Sequence, residues 1–526
     1  MKAEQQNVNT ENQGLETAHT LSAVGAEGKF DLSKLGETIT SFLKEKSRRL
    51  GIDYLGQLQR HFVSQASGKM VRTEFDKAVS EIIDAVNAFD RVPCDHIRIA
   101  PISRLEEFEQ LPVWRHIAEQ SIVNGEIAFE AFYAGAGERM GGPLYPLDPW
   151  AVIEKYLRES CELPSHFLPA GAIRGIGLGS RQLLQLRLSL EELSRWLHYP
   201  SFEAIGKFVI ILHVNPEVEP HVRQDLIQHQ HYGFEPGNMI IVPQPFLPGW
   251  HFDAQGQFVL DPTSTLFPYN HGWARMQLNW KRQAYWLDDA GQKHPFAEPV
   301  VDHLLERGIR YLTLNRINDL DRISPQGIMD VNLIALSLYL MRERGYSLTV
   351  ELVGNDTGQK GGFGLAEEGS EAMFLVETLC AKSTPFVRRM DRLTEEFKNT
   401  LSWRSEDEKK NSKIGVPYNA MRQFEDIQAT KDSLQEGLPV VLRYREGRIY
   451  LEPPVGDMTN LPGIRARAVM RMHDRFNPAI RNGELIYDFK ELENAHKGPF
   501  FLEAQDNQPQ FRELVHTLAL NRSVNR

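Results

Sequence analysis

The chain has 526 residues, 41% of them hydrophobic and 25% charged, with a net charge of −11 at neutral pH. Its length suits roughly three to four domain-sized units, and its composition is that of an ordinary soluble globular protein. The acidic balance excludes broad binding to nucleic acid or to an anionic membrane, because either needs concentrated Lys and Arg. Cys94, Cys161 and Cys380 stand far apart and in no metal-ligand spacing, which suits a reducing compartment without a disulfide framework. No apolar run reaches the roughly eighteen residues of a membrane span, and the polar N-terminus lacks a signal-peptide core. The expected location is the cytoplasm.

Residues 1–28 are rich in Gln, Asn, Glu and Thr, and predict a disordered tail. From Leu32 to Phe89 apolar residues recur at helical spacing, as in Leu35, Ile39, Phe42 and Leu43, and again in Phe75, Val79, Ile82, Ile83 and Val86. Residues 29–104 are therefore expected to be a helical region packed on the main body. Glu126–Tyr133 then has the content of a short buried strand. It runs into a loop where Gly135, Gly137, Gly141 and Gly142 surround Arg139. Glycines let backbone amides converge on phosphate oxygens, and an arginine can add a bidentate contact. The spacing matches neither Gly-Lys-Ser/Thr nor Gly-x-Gly-x-x-Gly, so the glycines alone leave a surface loop as an equal alternative.

A helix is expected at Pro149–Glu159, then a second glycine cluster at Pro169–Arg181, a strand at Lys207–His213, a helix at Val218–His231 and a strand at Asn238–Pro243. A strand at Tyr311–Asn315, a helix at Met329–Gly345 and a strand at Ser347–Val353 continue the alternation, which predicts a mostly parallel sheet with helices on both faces. In such sheets ligands sit at the carboxyl ends of the strands. Arg404–Asn411 reads as a solvated loop. Leu438–Leu451 reads as a hairpin turning at Glu446-Gly447, inside a smaller C-terminal domain that includes Gly456–Gly463. Taken residue by residue, Asn318-Asp319 also reads as a turn, Asp330 as a helix start, His271 as a turn cap and Glu377 as an exposed strand residue. The seventeen histidines form no pair with zinc spacing.

The order of these features resembles the UTP:sugar-1-phosphate uridylyltransferases, closest to the UDP-sugar and UDP-N-acetylhexosamine pyrophosphorylases. That family carries Leu-Ala-Gly-Gly-x-Gly-Thr-Arg-Leu-Gly followed by Pro-Lys-Gly. Here Gly135, Gly137, Arg139 and Gly141 fall in register, with Tyr145-Pro146 at the family proline. Val209–Val214 is similar to its central strand, Met239–Gln244 to its strand ending in glutamine, and Phe267–Gly272 to its Pro-Asp-Gly-Asn/His-Gly. Gly308–Asp319 resembles its Gly-Ile-x-Tyr…Val-Asp-Asn, and Gly362–Leu365 with Val376-Glu377 resembles the strand pair that lines the sugar.

The likeness spans residues 105–400, with residues 401–526 expected as the C-terminal domain. It implies an α/β nucleotidyltransferase (GT-A/Rossmann-like) fold, with a mixed, mostly parallel sheet, that forms a UDP-sugar from UTP and a sugar 1-phosphate with Mg²⁺. Arg139 and Lys360 would be catalytic, and Gly135, Ala136, Gly137, Gln244, Asn270, His271 and Gly272 would hold the nucleotide. Gly364 and Glu377 would meet the sugar, and Asp319 the metal. The chain departs from the family at Leu147, in place of the loop lysine, at Asn318, in place of the metal aspartate, and at Thr349 or Val353, near a second lysine. These departures carry an alternative: a catalytically impaired relative that acts as a nucleotide-sugar-binding or interaction module.

Overall fold

The computed structural model describes residues 32–524 apart from 135–142, 144, 152–153, 155–170, 269, 317–329, 356–360, 401–414, 435–436, 471–479, 482–483, 486–501 and 503–504. The strands are β1 (Ile97–Ile99), β2 (Ile102–Arg104), β3 (Ile127–Phe132), β4 (Ile210–Val214), β5 (Met239–Pro243), β6 (Phe246–Leu247), β7 (Trp250–Phe252), β8 (Phe258–Leu260) and β9 (Phe267–Pro268). There follow β10 (Tyr285–Leu287), β11 (Lys293–Pro295), β12 (Tyr311–Arg316), β13 (Leu348–Asn355), β14 (Phe363–Glu367), β15 (Phe374–Val376), β16 (Gly415–Asp426), β17 (Leu442–Arg445), β18 (Arg448–Leu451) and β19 (Ala466–Met470).

One mixed sheet organises these elements, in the order β11-β10-β5-β4-β3-β12-β16-β13-β19-β2. Neighbours from β5 through β12 pair in parallel, as do β13, β19 and β2. The long β16 runs antiparallel between β12 and β13, and its start also pairs with β14. Strands β3 and β4 are buried at every position, as expected of parallel strands covered on both faces.

On one face Phe129, Ala131, Leu212 and Ile241 pack against helices Leu111–Val123, Leu178–Trp196 and Val331–Arg344. On the other, Ala128, Ile211, Ile240 and Leu312 meet helix Val300–Glu306 through Val301 and Leu304. Each fully buried Phe, Ile or Leu contributes about 1.5–3 kcal/mol, so these two layers fix the sheet.

Local signals set the boundaries of the elements. Helix Val331–Arg344 starts where the Asp330 carboxylate accepts the Leu333 N–H at 3.2 Å and stops at Gly345, whose φ is +67°. The β17–β18 hairpin turns at Glu446 (φ +50°) and Gly447 (φ +85°), the left-handed pair that a two-residue turn of type I′ requires. The helix expected through His231 ends instead at Gln228, because Gln230, His231, Tyr232 and Gly233 all take positive φ.

The N-terminal region forms helices Leu32–Leu50, Tyr54–Ala66 and Arg72–Asn87, followed by β1 and β2. These helices pack on a second sheet, ordered β17-β18-β7-β8, with Phe62 against Phe252 at 5.7 Å and Phe75 against Tyr444 at 6.2 Å. The main sheet crosses the boundary expected at residue 400, since β16 and β19 lie among strands from the preceding segment. The tail at residues 1–28 lies outside the described residues, as does most of the helix expected at 149–159. No helix among the described residues is long and apolar enough to cross a membrane.

Candidate functional site

The carboxyl ends of β3, β4, β5 and β12 form one edge of the sheet. β3 leads into the first glycine-rich loop, and Gly135, Ala136, Gly137 and Arg139 lie outside the described residues. The exit of that loop is described, and the second glycine cluster braces it. Leu178 N–H donates to the Leu147 carbonyl at 3.0 Å, and Gly179 N–H to the Tyr145 carbonyl at 3.1 Å. A Cβ on Gly177 would lie 2.4 Å from the Tyr145 carbonyl oxygen, and one on Gly179 would lie 2.0 Å from the Tyr145 ring. These two glycines therefore serve close packing. The Tyr145 hydroxyl donates to Asp225 at 2.6 Å, as do Tyr232 at 2.6 Å and Ser180 at 3.0 Å, and His229 Nδ1 lies 3.0 Å away. Burial pushes the Asp225 carboxyl up, but bonds from His229, Tyr145 and Tyr232 outweigh it and hold the group below its usual range. Leu147, where the resemblance has a lysine, is partly buried and packs on the same core.

The structure brings together the residues expected at the base. Gln244 follows β5, and its Nε2 donates to the Asn270 carbonyl at 2.8 Å, at the start of helix Asn270–Gln277. Asn270 takes φ +55°, and its side chain accepts the His271 N–H at 2.6 Å. Gly272 donates to the Pro453 carbonyl at 3.0 Å, where a Cβ would stand 2.4 Å from that oxygen. Phe132, the last residue of β3, sits between two imidazoles, 4.8 Å from His213 and 5.2 Å from His271.

Beneath this edge lies a buried charged cluster. His213 Nε2 is 2.6 Å from Glu130 Oε1, and Arg275 lies 3.9 Å from Glu130 and pairs with Glu425. Burial pushes Glu425 up to about 7; Arg275 opposes this and Glu130 reinforces it. Burial works against the Arg275 charge, but Glu425 and Glu130 together hold the guanidinium above its ordinary value.

At the ends of β12 and β13 the network is also polar. Arg422 pairs with Glu351 at 3.0 Å and donates to Asn315 at 3.2 Å. A cavity of about 20 Å³ opens beside them, lined among others by Thr313, Asp330 and Thr349, with room for one water. Thr349, one of the two positions near the family's second lysine, donates to Ser337 at 2.7 Å; the other, Val353, packs on Tyr418. Asn318, Asp319 and Lys360 lie outside the described residues. Among the described residues no three His, Cys, Asp or Glu group to hold a metal. Asp330 caps its helix and Glu351 is paired with Arg422, so these carboxylates do not fit a Mg²⁺ site by themselves.

Glu377 follows β15. Its Oε1 lies 2.8 Å from where a Cβ on Gly362 would stand and 3.1 Å from the equivalent point on Gly456, so the carboxylate sits between two glycine backbones. Asp457 is buried beside it, and burial, then the charge of Glu377, pushes the Asp457 carboxyl well above the usual range. The Cys380 thiol is likewise driven up, first by burial and then by Asp457 and Glu377. Gly364 faces the other way: its Cβ would meet Leu352 at 2.2 Å, so it serves strand packing.

Sequence reading placed Gly456–Gly463 in the C-terminal domain but did not bring Pro453–Asn460 to the site residues, where Pro453 meets Gly272 and Gly456 meets Glu377. Its only signal was the glycine–aspartate pair Gly456-Asp457. Glu130 and Arg275 gave none, because each stands alone within an apolar stretch.

No family model and no curated protein matches the sequence. Among solved structures, the UDP-N-acetylglucosamine pyrophosphorylase of Trypanosoma brucei in complex with an inhibitor superposes with a TM-score of 0.51 at 12% identity, covering 93% of this chain and 91% of that one. This chain has the pyrophosphorylase fold. A protein of Entamoeba histolytica assigned as a UDP-N-acetylglucosamine pyrophosphorylase gives a TM-score of 0.47 at 16% identity over 74% of this chain and 85% of that one. A variant UDP-glucose pyrophosphorylase of Leishmania major in complex with UDP-glucose gives 0.45 at 12% over 80% and 77%. The resemblance read from the sequence holds at the level of the fold.

Proposed function

We propose that the chain binds a uridine nucleotide or UDP-sugar at the carboxyl edge of β3, β4, β5 and β12. We further propose that it forms a UDP-sugar from UTP and a sugar 1-phosphate. The observation that carries this reading is the junction of Gln244 with Asn270, His271 and Gly272, directly beside the strand that enters the glycine-rich loop. Backbone groups there are fixed in advance, as recognition of a base edge requires. The shared fold supports the reading, since the neighbours of that fold are UDP-sugar pyrophosphorylases.

In this reaction an oxygen of the sugar 1-phosphate attacks the α-phosphorus of UTP in line, the bond to the bridging oxygen breaks, and pyrophosphate leaves. The protein's part is positioning and neutralisation of charge. Arg139, Lys360 and the amides of Gly135, Ala136 and Gly137 are assigned to the phosphates, and Glu377 to sugar hydroxyls. Asp319 would hold Mg²⁺, which when bound would add to the neutralisation of phosphate charge.

The second reading, an impaired relative that binds without turnover, is favoured by Leu147, Thr349 and Val353, uncharged side chains that pack on the core where the resemblance has lysines. Pyrophosphate release from UTP with glucose, galactose and N-acetylglucosamine 1-phosphates, run beside calorimetric binding of UTP and UDP-sugars, tests both readings. Binding with turnover supports the transferase, binding without turnover supports the module, and no binding of any uridine compound ends both.

A further inference from the structure

The C-terminal segment reaches back to the exit of the glycine-rich loop through one carboxylate. Asp506 is wholly buried and accepts from three separate elements: Arg181 Nη1 at 2.7 Å, Trp150 Nε1 at 2.8 Å and the Ile173 N–H at 2.7 Å. Its neighbour Gln505 accepts from Arg181 at 3.0 Å and donates to Gln185 at 2.9 Å. Phe511, fully buried on helix Pro509–Val524, lies under the Arg181 guanidinium at 5.7 Å, and Arg512 donates to the Gly171 carbonyl at 2.7 Å. Trp150 and Ile173 belong to the two stretches that hold Tyr145–Leu147. Asp148 reinforces the join by accepting from Trp150 N–H at 3.0 Å and Gly175 N–H at 2.9 Å. From the opposite side, Asp225 fixes Tyr145.

We propose that Asp506 is a positioning residue for the nucleotide site, through which the C-terminal segment sets the exit of the phosphate loop. The proposal rests on the reading of the 135–147 loop as the phosphate-binding element. A buried carboxylate with an arginine, an indole and a backbone amide as donors has one geometry in which all are satisfied. That geometry fixes residues 148–150 against 173–181, and with them the chain at Tyr145–Leu147 where the loop ends. Phosphate contacts fall off steeply when their donors are displaced, so holding this loop acts on affinity as well as on folding.

The test is Asp506→Asn in the full chain, which keeps the shape and removes the charge. Expected are at least a tenfold rise in the calorimetric Kd for UTP and at least tenfold faster amide exchange in peptides covering 143–151 and 171–178, with circular dichroism of the native protein. The comparison variant is Asn87→Ala, which breaks the remote bonds between Asn87 and the Leu442 backbone. It is expected to lower the melting temperature and leave both readouts unchanged. Wild-type Kd and exchange in Asp506→Asn, or equal shifts in Asn87→Ala, would overturn the proposal. Should Asp506→Asn fail to fold, Arg512→Ala is expected to move both readouts in the same direction by at least twofold, and no movement there overturns it too. If the wild type binds no uridine nucleotide, the phosphate-loop reading fails, and the exchange data still decide whether Asp506 holds the loop exit.

Discussion

Replacing Glu425 with glutamine should remove a pH dependence that the fold builds into its core. Arg275 and Glu130 are fully buried, Glu425 is almost so, and one guanidinium faces two carboxylates. Burial, reinforced by the neighbouring Glu130, pushes Glu425 from an ordinary 4.5 up to about 7, against the pull of Arg275. The folded protein therefore binds this proton more tightly than the unfolded chain does. Stability from this group is complete below about pH 4.5, falls as the pH rises to about 7 and is level above. At 1.36 kcal/mol per pH unit, that interval amounts to about 3 kcal/mol. Glu425→Gln imitates the protonated acid. It is expected to exceed the wild type by less than about 1 kcal/mol at pH 5 and by up to about 3 kcal/mol at pH 8. Urea unfolding followed by circular dichroism at pH 5, 6, 7 and 8 measures this directly. Parallel pH profiles for the two proteins, or a glutamine variant weaker at pH 8, would refute the reasoning.

Gly272→Ala places a methyl 2.4 Å from the Pro453 carbonyl oxygen, so backbone must shift; it should cost about 1–3 kcal/mol in chemical denaturation and weaken UTP binding in calorimetry. Gln244→Ala removes the donor to the Asn270 carbonyl; it should cost about 1 kcal/mol of stability and raise the Kd for uridine nucleotides about tenfold, with unchanged binding counting against the base site. Leu147→Lys puts an ammonium into a packed apolar position; it should destabilise by about 1–3 kcal/mol and leave pyrophosphate release no higher, whereas a gain in turnover would place residue 147 at the phosphates. In a thermal-shift panel, a true ligand at a hundredfold over its Kd should add about 2.7 kcal/mol of stability, and UTP or a UDP-sugar should do so where ATP does not.

The sheet was legible because its strands are short apolar runs between helical stretches, and the pattern placed β3, β4, β5 and β12 within a few residues. β16 escaped notice because Pro417 and polar residues (Asn419, Arg422, Gln423, Glu425, Asp426) break any strand pattern and it follows a charged loop, so nothing local announces a strand at the centre of the sheet. The hairpin at Glu446-Gly447 was readable from turn chemistry alone. At the site, Gln244 and Asn270–Gly272 were found through order and resemblance, and their union across 26 residues is a tertiary fact. Gly364, expected to meet the sugar, has Leu352 where a Cβ would stand; a glycine in a strand signals close approach without saying what approaches. Glu130, Arg275 and Asp506 were invisible for the opposite reason: each is a single charge whose meaning lies in a partner distant in sequence.

The placement of charge narrows how such a site can work. At positions 147, 349 and 353, where the resemblance points to lysines, the side chains serve the core: Leu147 against Leu178 and its neighbours, Thr349 to Ser337, and Val353 on Tyr418. Arg422 of β16, beside β12 and β13, is engaged by Glu351 and Asn315. Under the proposed function, neutralising a triphosphate is assigned to Arg139, Lys360 and the amides of the first glycine-rich loop, and the orientation of that loop then matters. Amides confer charge stabilisation only when they are aimed, since their dipoles are fixed in direction, whereas a lysine can reach on a flexible stem. Under the proposed function, a chain without the family lysines depends more on how its loop is held. Asp225, bonded to Tyr145, and the buried Asp506, bonded to Trp150 and Ile173, hold the described end of that loop.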